Sequence, residues 1–523
     1  MSQNPIHPAV AQWLQRPFGT LDEMVRVQAQ VQPGHPALVL DGRTLSYADF
    51  DRQIDRVAAA LQRDGLRPRE VIAIAAGMSL AYAAVFFGAL RAGLAVAPLA
   101  PDQRPETLQA MVADAGARRL FIDAAVAQHL AGVAGASDVP RVALDDAAAG
   151  AALSSWQAAD GARPAPVAVQ PDWPCTLIYS SGTTGLPKGI TAPHSYRWSA
   201  LQMFQTLGYA PQSVVMISIP LYSNMTLSSF LPSLAMGCTL VLMSKFDGGR
   251  WLELAEQHRA THCMLVPVQY QRLLAHPDFD RRDLGAFRMK SCGSAPFAAS
   301  IKADALRRWP GELVEFYGMT EGGAVCALDT RRHPDKLHTV GRPLPGHEFR
   351  LIDDDGRELP PGAVGELVGR SGVMMTGYHN LPEKTREAEW FDAEGRRYIR
   401  TGDVGRIDDD GFVVLMDRKK DMLISGGFNV YPSDLEAVLL QHPAVAEAAV
   451  VGVPSERWGE SPVACVVPRA GATAAEAELM AWVNERVAKP QRLAGLRFAA
   501  ALPRSEIGKV LKRELRERWL AEA

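Results

Sequence analysis

The feature that most constrains the fold is a stretch of 20 residues without a charged side chain, Val71 to Leu90. A single apolar helix of that length can span a bilayer. Gly77 interrupts the stretch, however, and a second apolar run, Leu94 to Leu99, follows almost at once. Strand, helix and strand within about 30 residues are typical of a buried βαβ unit. We therefore predict a core built on parallel strands and no transmembrane segment.

Composition narrows the classes of function. The chain has 55 Lys and Arg against 58 Asp and Glu, a formal net charge of −3, and no long run of either sign. A nucleic-acid-binding protein normally carries a basic stripe, so we expect no nucleic-acid partner. Six scattered cysteines without a Cys-x-x-Cys pair, and an N-terminus without an apolar signal segment, favour a cytoplasmic protein.

The 523 residues predict an α/β protein of more than one domain. Apolar runs alternate with helical patterns through about residue 330, which is typical of parallel α/β layers, while residues 136–172 indicate a surface connection. Short strands and Asp-Gly turns between about 340 and 416 predict a small antiparallel β subdomain. The charged cluster 417–421 indicates a boundary, and the chain beyond it predicts a small α+β domain.

The strongest motif is a loop rich in Gly, Ser and Thr that leaves an apolar strand. It reads Tyr179-Ser-Ser-Gly-Thr-Thr-Gly-Leu-Pro-Lys-Gly189. Its glycines let the backbone approach a ligand, its hydroxyls and N–H groups can hold anionic oxygens, and Lys188 adds a point charge. The loop lacks the Gly-Lys-Ser/Thr of a Walker loop. A flexible surface loop is the alternative, but it does not explain the Pro-Lys pair or the preceding strand.

Three further segments carry groups suited to a nucleotide. Thr320 and Glu321 offer a hydroxyl for a phosphate oxygen and a carboxylate for a divalent cation, and Tyr317 offers a ring for a planar base. Asp403, in a turn flanked by glycines, is placed to accept two ribose hydroxyls, with a plain Asx turn as the alternative. Lys509 follows a glycine before a basic helix, and taken alone it is one more lysine on that helix.

Together the motifs resemble those of the ANL superfamily of adenylate-forming enzymes, in the family's order and across essentially the whole chain. They are Ser180-Ser-Gly-Thr-Thr-Gly-x-Pro-Lys188, Tyr317-Gly-Met-Thr-Glu321, Thr401-Gly-Asp403, Asp417-Arg-Lys-Lys-Asp-Met-Leu-Ile-Ser-Gly-Gly427 and Gly508-Lys509. The resemblance implies a large N-terminal domain of layered α/β subdomains plus a small β subdomain, followed by a small mobile α+β C-terminal domain. We expect these domains to be residues 1–417 and 418–523, with the hinge at Lys420.

The resemblance also implies residue roles with ATP, Mg²⁺ and coenzyme A. The catalytic residues are Lys509, Thr320, Glu321 and Lys188, and Glu321 binds the metal. The nucleotide and coenzyme residues are Ser180, Ser181, Gly182, Thr183, Thr184, Gly185, Lys188, Gly293, Ser294, Ala295, Glu315, Phe316, Tyr317, Thr320, Asp403, Arg418, Gly426, Gly427, Trp458 and Lys509. The acid pocket contains Tyr222, Ser223, Asn224, Gly293, Gly318, Gly323 and Ala324. For Trp458, a plain half-exposed turn residue is an equal alternative to stacking on the coenzyme.

The function implied is that of an AMP-forming carboxylate–CoA ligase, and a stand-alone enzyme that loads a carrier protein is the alternative. A catalytically silent nucleotide-binding protein is disfavoured, because Lys188, Glu321 and Lys509 are all present. Ser223 stands where the family usually has a histidine in the acid pocket, and the residues after Glu321 are small. We therefore expect a medium-sized apolar or aromatic acid. The oligomeric state stays open, a homodimer being one arrangement.

Overall fold

The computed structural model describes residues 6–131, 138–146, 150–180, 187–360, 362–425, 428–505 and 508–522. The chain forms two compact units. The first consists of Met1–Leu337, Leu344–Glu348 and Arg370–Glu389, and the second of His338–Pro343, Phe349–Gly369 and Trp390–Ala523. The predicted domain boundary between residues 417 and 418 falls within the second unit and stays a prediction.

The first unit contains two sheets that are parallel except near their edges, which agrees with the predicted α/β fold. One sheet has the strand order Gly377–Tyr378, Gly189–Pro193, Pro174–Tyr179, Ala95–Leu99, Val71–Ala75, Ala117–Ile122, Arg141–Ala143 and Ala151–Ala152. The other has the order Cys326–Asp329, Glu312–Tyr317, Met289–Cys292, His262–Leu265, Val214–Ile217, Thr239–Leu242, Pro36–Leu40 and Arg43–Ser46. Carboxyl ends of adjacent parallel strands lie at one edge of a sheet, where ligands bind in α/β proteins.

Helices cover the faces of these sheets. The α-helices are Pro8–Leu14, Leu21–Val31, Tyr47–Arg63, Leu80–Arg91, Pro105–Asp114, Ala124–His129, Leu153–Trp156, His194–Phe204, Asn224–Ala235, Gly248–Gln257, Pro267–Leu274, Ala299–Arg308 and Pro382–Glu387. Short 3₁₀ turns lie at Gln205–Leu207, Phe279–Arg281 and Pro334–Lys336.

The uncharged stretch forms the predicted strand and helix. The helix Leu80–Arg91 begins at Ser79, whose hydroxyl accepts a hydrogen bond from the Tyr82 N–H at 3.0 Å. From Tyr82 onward every residue of the helix is buried. Arg91 ends it and pairs with Asp51 and Asp55 at 2.7 and 2.8 Å, so its charge is balanced inside the unit. Among the described residues, no helix is both long and apolar enough to cross a membrane.

The prediction for residues 136–172 was partly wrong. Strands Arg141–Ala143 and Ala151–Ala152 extend the first sheet, and a short helix, Leu153–Trp156, follows. These strands have two or three residues each, too few for alternation to be visible in the sequence.

The second unit contains two further sheets. Their strands are Glu348–Ile352, Gly365–Arg370, Glu389–Phe391, Arg397–Ile407 and Val413–Arg418 in one, and Leu423–Ser425, Phe428–Val430, Val445–Ser455, Gly459–Pro468 and Gly495–Phe498 in the other. A two-residue strand, Arg342–Pro343, also lies in this unit, and its helices are Pro432–Leu439, Glu476–Asn484 and Lys512–Ala521, with a 3₁₀ turn at Lys489–Gln491. The antiparallel β subdomain is present, but residues 370–389 belong to the first unit and not to it.

Candidate active site

The Gly/Ser/Thr loop is anchored at both ends. It follows the strand Pro174–Tyr179, in which Tyr179 pairs with Gly189 of the antiparallel neighbour. The Ser180 N–H donates to the Lys188 carbonyl at 3.0 Å, which closes the loop. Residues 181–186 lie outside the described residues, and with them the predicted Ser181, Gly182, Thr183, Thr184 and Gly185.

A tyrosine that the sequence analysis missed joins two of the predicted catalytic residues. The Lys188 Nζ lies 4.4 Å from the ring centroid of Tyr378. The Tyr378 hydroxyl donates to the Glu321 Oε1 at 2.9 Å. Burial and the Glu321 charge both raise the pKa of Tyr378 far above its ordinary value, so the hydroxyl is a donor at neutral pH. The loop lysine and the carboxylate therefore lie at one place in the first unit.

The turn that carries Thr320 and Glu321 packs against the segment 373–375. The Glu321 carbonyl accepts from the Met375 N–H at 2.8 Å, and the Gly323 N–H donates to the Val373 carbonyl at 3.0 Å. Gly322 has φ +77°, and a Cβ there would overlap the Val373 carbonyl oxygen. Only glycine fits this position, and the close approach fixes the direction in which Glu321 leaves the backbone.

The predicted adenine residues come from two adjacent parallel strands. Gly293 follows Met289–Cys292, and a Cβ at Gly293 would lie only 3.0 Å from the Phe316 carbonyl oxygen, so the two segments are close together. Ser294 has φ +73°, and its hydroxyl lies 2.9 Å from the Met225 sulfur. Ala295 and Tyr317 are both half-buried.

Glu315 differs from the other predicted nucleotide residues. Its side chain is buried and forms an ion pair with Lys302, which is also buried. Burial raises the pKa of Glu315, and the Lys302 ammonium opposes that rise. Lys302 also donates to the Leu337 carbonyl at 2.8 Å. The carboxylate therefore ties a strand to a helix, and only the backbone of Glu315 is left for the predicted contact with adenine.

Three of the predicted acid-pocket residues, Asn224, Gly318 and Gly323, contact one small apolar cluster that contains Tyr196. Ser223 is buried immediately before the helix Asn224–Ala235, and the Asn224 Nδ2 donates to the Tyr196 hydroxyl at 3.4 Å. Tyr196 packs with Val373 and Val325 in a small apolar cluster. A Cβ at Gly318 would lie 3.3 Å from the Val325 side chain, and Gly323 bonds to Val373. Tyr222 is half-buried and Ala324 buried.

In the second unit, Asp403 and Arg418 face each other on neighbouring strands. They are paired in the antiparallel register, and the Arg418 Nε lies 3.1 Å from the Asp403 Oδ1. The expectation of a turn at Asp403 was wrong, because the residue lies inside the strand Arg397–Ile407. Its N–H donates to the Thr401 Oγ1 at 3.0 Å. The strand continues through Gly402 even though that glycine has a left-handed φ of +69°.

Lys509 lies in a loop and not on the terminal helix, which begins at Lys512. The Lys509 N–H donates to the Ser505 Oγ at 3.2 Å, and its carbonyl accepts from the Ser505 N–H at 2.8 Å. Arg504 donates to the Gly508 carbonyl at 2.8 Å and pairs with Glu447 at 2.6 Å. These bonds hold the backbone of the loop while Lys509 itself is exposed.

The remaining predicted residues of this unit are Lys420, Trp458, Gly426 and Gly427. Lys420 is exposed just after the strand Val413–Arg418. Trp458 is half-buried in the turn after Val445–Ser455, with the Arg457 guanidinium 5.1 Å from its ring. Both alternatives for Trp458 remain open. Gly426 and Gly427 lie outside the described residues.

The structure places the lysine of the Gly/Ser/Thr loop and the Glu321 carboxylate on either side of Tyr378, an arrangement suited to a nucleotide with a divalent cation. Models of the AMP-binding enzyme family and of the AMP-binding enzyme C-terminal domain match residues 25–379 and 434–509. The chain therefore belongs to the AMP-binding enzyme family, within the ANL superfamily of adenylate-forming enzymes. The predicted family, the fold class and an ATP-dependent ligase are thereby confirmed.

Relatives span nearly the whole chain. A feruloyl-CoA synthase from an Amycolatopsis species is 34% identical over 94% of this chain and 97% of its own. The fatty acid–[acyl-carrier-protein] ligase ScoC of Streptomyces coeruleorubidus is 32% identical over 96% and 97%. The solved amide bond synthetase McbA from Marinactinospora thermotolerans has a TM-score of 0.86 at 29% identity, over 96% and 100%. The AMP-binding family match and the CoA ligases among the relatives support the predicted cofactors ATP and coenzyme A.

Proposed function

We propose that the protein is an AMP-forming carboxylate–CoA ligase. In the first half-reaction a carboxylate oxygen of the acid attacks the α-phosphorus of ATP, and pyrophosphate leaves. In the second, the thiol sulfur of coenzyme A attacks the acyl carbon of the adenylate, and AMP leaves. The observation that carries the proposal is the proximity of Lys188 and Glu321 through Tyr378. Two anions react in the first step, so positive charge has to be positioned where negative charge develops.

Thr320 and Glu321 fit a magnesium ion bound together with phosphates. Mg²⁺ is commonly held by one or two carboxylates, phosphate oxygens and water, and Glu321 is a half-buried carboxylate with one oxygen oriented by Tyr378. When bound, the metal neutralises phosphate charge. Glu321 would hold it, Lys188 would bind the β- and γ-phosphates, and Thr320 would contact the α-phosphate.

The other roles follow from the family pattern. Gly293 to Ala295 and the backbone of Glu315 to Tyr317 would enclose adenine. Asp403 and Arg418 would bind the ribose hydroxyls, and their existing ion pair keeps the carboxylate oriented. Lys509 would bind the carboxylate and α-phosphate oxygens during adenylation. Its loop is fixed by hydrogen bonds and an ion pair of neighbouring residues, which suits a lysine that has to act at one position.

The acid is proposed to be medium-sized and apolar or aromatic. Tyr196, Val325 and Val373 form an apolar cluster that contacts predicted pocket residues, and Gly318 and Gly323 carry no side chain there. Ser223 is smaller than the histidine usual at its position. These features favour an aromatic ring or a medium chain. None of the predicted pocket residues carries a carboxylate that could bind the amino group of an amino acid.

The acceptor is proposed to be free coenzyme A, with a carrier protein as the alternative. Among relatives of similar identity, one is named a feruloyl-CoA synthase and another a fatty acid–[acyl-carrier-protein] ligase. Incubation with ATP, Mg²⁺, an acid and either coenzyme A or a phosphopantetheinylated carrier protein separates them. We expect thioester formation with coenzyme A. Thioester formed only on the carrier protein would support the alternative.

An acid panel tests the substrate class. We expect release of AMP that depends on both coenzyme A and the acid, with aromatic and medium-chain acids reacting at least roughly tenfold faster than acetate, because burying each CH₂ contributes about 0.8 kcal/mol. Acetate, benzoate, ferulate, octanoate and phenylalanine make a sufficient first panel. Activity confined to acetate or to the amino acid would overturn the proposed class.

A further inference from the structure

Tyr378 contacts two charged groups that the proposed function needs, through two different parts of its side chain. The face of its ring lies under the Lys188 ammonium, 4.4 Å from centroid to Nζ. Its hydroxyl donates to the Glu321 Oε1 at 2.9 Å. A cation over an aromatic face and a hydrogen bond to a carboxylate are both attractive, and neither replaces the other.

The backbone around Tyr378 is held independently of these contacts. Gly377–Tyr378 pairs antiparallel with Gly189–Pro193, the strand that follows Lys188 directly. The Tyr378 N–H donates to the Thr385 Oγ1 at 2.9 Å, and the His379 N–H donates to the Gly189 carbonyl at 2.7 Å. A Cβ at Gly377 would meet the Thr385 side chain at 2.9 Å. The ring is thus fixed on a strand, while Lys188 and Glu321 reach it from two other segments.

Without Tyr378 between them, Lys188 and Glu321 would be free to form a direct ion pair with each other. A direct ion pair would engage the ammonium needed for phosphate and the carboxylate needed for metal. The contacts to Tyr378 are attractive but neutralise neither charge. The ammonium therefore stays available for phosphate, and the carboxylate for metal.

We propose that Tyr378 is a positioning residue, which orients the lysine of the phosphate loop and the metal-binding carboxylate for binding of the nucleotide and its metal ion. The ring orients Lys188, and the hydroxyl orients Glu321. The roles of Lys188 and Glu321 in this proposal rest on the proposed function. Outer groups that orient a metal ligand typically contribute about 10–100-fold to metal affinity or activity.

Two variants separate the two contacts. Tyr378→Phe keeps the ring beside Lys188 and removes only the hydrogen bond to Glu321. Tyr378→Leu removes both. Tyr82→Phe is the matched control, because its buried hydroxyl has no hydrogen-bond partner among the described residues and lies on the core helix Leu80–Arg91.

Binding of ATP is measured by calorimetry across a range of Mg²⁺ concentrations, without any acid. For Tyr378→Phe we expect the Mg²⁺ concentration that supports half-maximal ATP binding to rise roughly 10-fold or more, with ATP affinity nearly restored at saturating Mg²⁺. For Tyr378→Leu we expect a further loss of ATP affinity that Mg²⁺ does not restore. The control should match the wild type.

Melting temperatures without ligand distinguish positioning from folding. The proposal expects Tyr378→Phe to melt within a few degrees of the wild type. It is overturned if Tyr378→Phe shows the Mg²⁺ dependence of the wild type, or if both Tyr378 variants lose ATP binding equally. A wild-type protein that binds Mg²⁺-dependent ATP but releases no AMP with any acid would instead refute the proposed ligase function and leave the assignment of Tyr378 intact.

Discussion

At the scale of single residues, the site depends on backbone positions that admit no side chain. Gly322 is the clearest example, since it combines a left-handed φ of +77° with contact to the Val373 carbonyl. The two neighbours on its N-terminal side are the proposed phosphate and metal residues. We therefore expect a methyl group added at Gly322 to displace the turn that carries these two residues.

Gly322→Ala is expected to lower stability by more than the ~1–2 kcal/mol of left-handed strain alone and to reduce adenylation strongly, because the overlap displaces the Thr320–Glu321 turn. Chemical denaturation and acid-dependent ATP–pyrophosphate exchange measure the two effects. Gly346→Ala is the matched control, with φ +78° and nothing within 4 Å of the added carbon. It should show the strain alone. Equal losses in both variants would contradict a special role for the close approach.

At the scale of elements, the loop before the terminal helix carries Lys509, the residue proposed to act in adenylation. Its backbone is fixed through Ser505 and through Arg504, which pairs with Glu447. Sequence alone left Lys509 as either a catalytic residue or one more lysine on a basic helix. The structure excludes the helix, while the catalytic role stays a prediction.

Lys509→Ala is expected to slow adenylation by about 10²–10³-fold, the usual effect of removing one donor to developing charge. Thioester formation from a supplied acyl adenylate should change little. Arg513→Ala is the control, since Arg513 lies on the helix and pairs with Glu517, one turn further along, at 2.7 Å. Equal losses in both half-reactions would refute the assigned role of Lys509.

Sequence patterns predicted the elements that are long or strongly apolar. The strand Val71–Ala75 and helix Leu80–Arg91 are confirmed. Asp403 was misplaced because a glycine before it suggested a turn, although the strand passes through that glycine. Tyr378 was missed because its partner Glu321 is 57 residues earlier in the chain, and a Gly-Tyr pair has no local signature of such a contact.

At the scale of the whole molecule, the proposed two-step reaction needs the predicted small domain to move between half-reactions. The chain just before the predicted hinge is firmly held: Lys419 pairs with Asp354 at 2.8 Å and with Glu366 at 3.3 Å, and its N–H donates to the Gly402 carbonyl at 2.9 Å. Lys420 is the exposed residue immediately after these contacts. A change of backbone direction at that residue would have to break two hydrogen bonds, from the N–H groups of residues 421 and 422 to the Arg418 carbonyl, while leaving the contacts of Lys419 in place.

Lys420→Pro is expected to impair thioesterification several-fold more than adenylation, because proline fixes φ and removes an N–H. Separate assays of pyrophosphate exchange and of thioester formation measure the two steps. Lys420→Ala, which keeps the backbone free, should leave both steps near wild-type rates. A parallel decline of both steps in the proline variant would mean that Lys420 is not the hinge.

The chain leaves the first unit after Glu348 and returns to it for Arg370–Glu389, the segment that carries Tyr378. This return has a consequence for recombination between homologous enzymes. A crossover placed after residue 348 would supply Tyr378 from one parent and Lys188 with Glu321 from the other. A crossover after residue 389 keeps all three from the same parent, so chimaeras joined there inherit a matched phosphate and metal site.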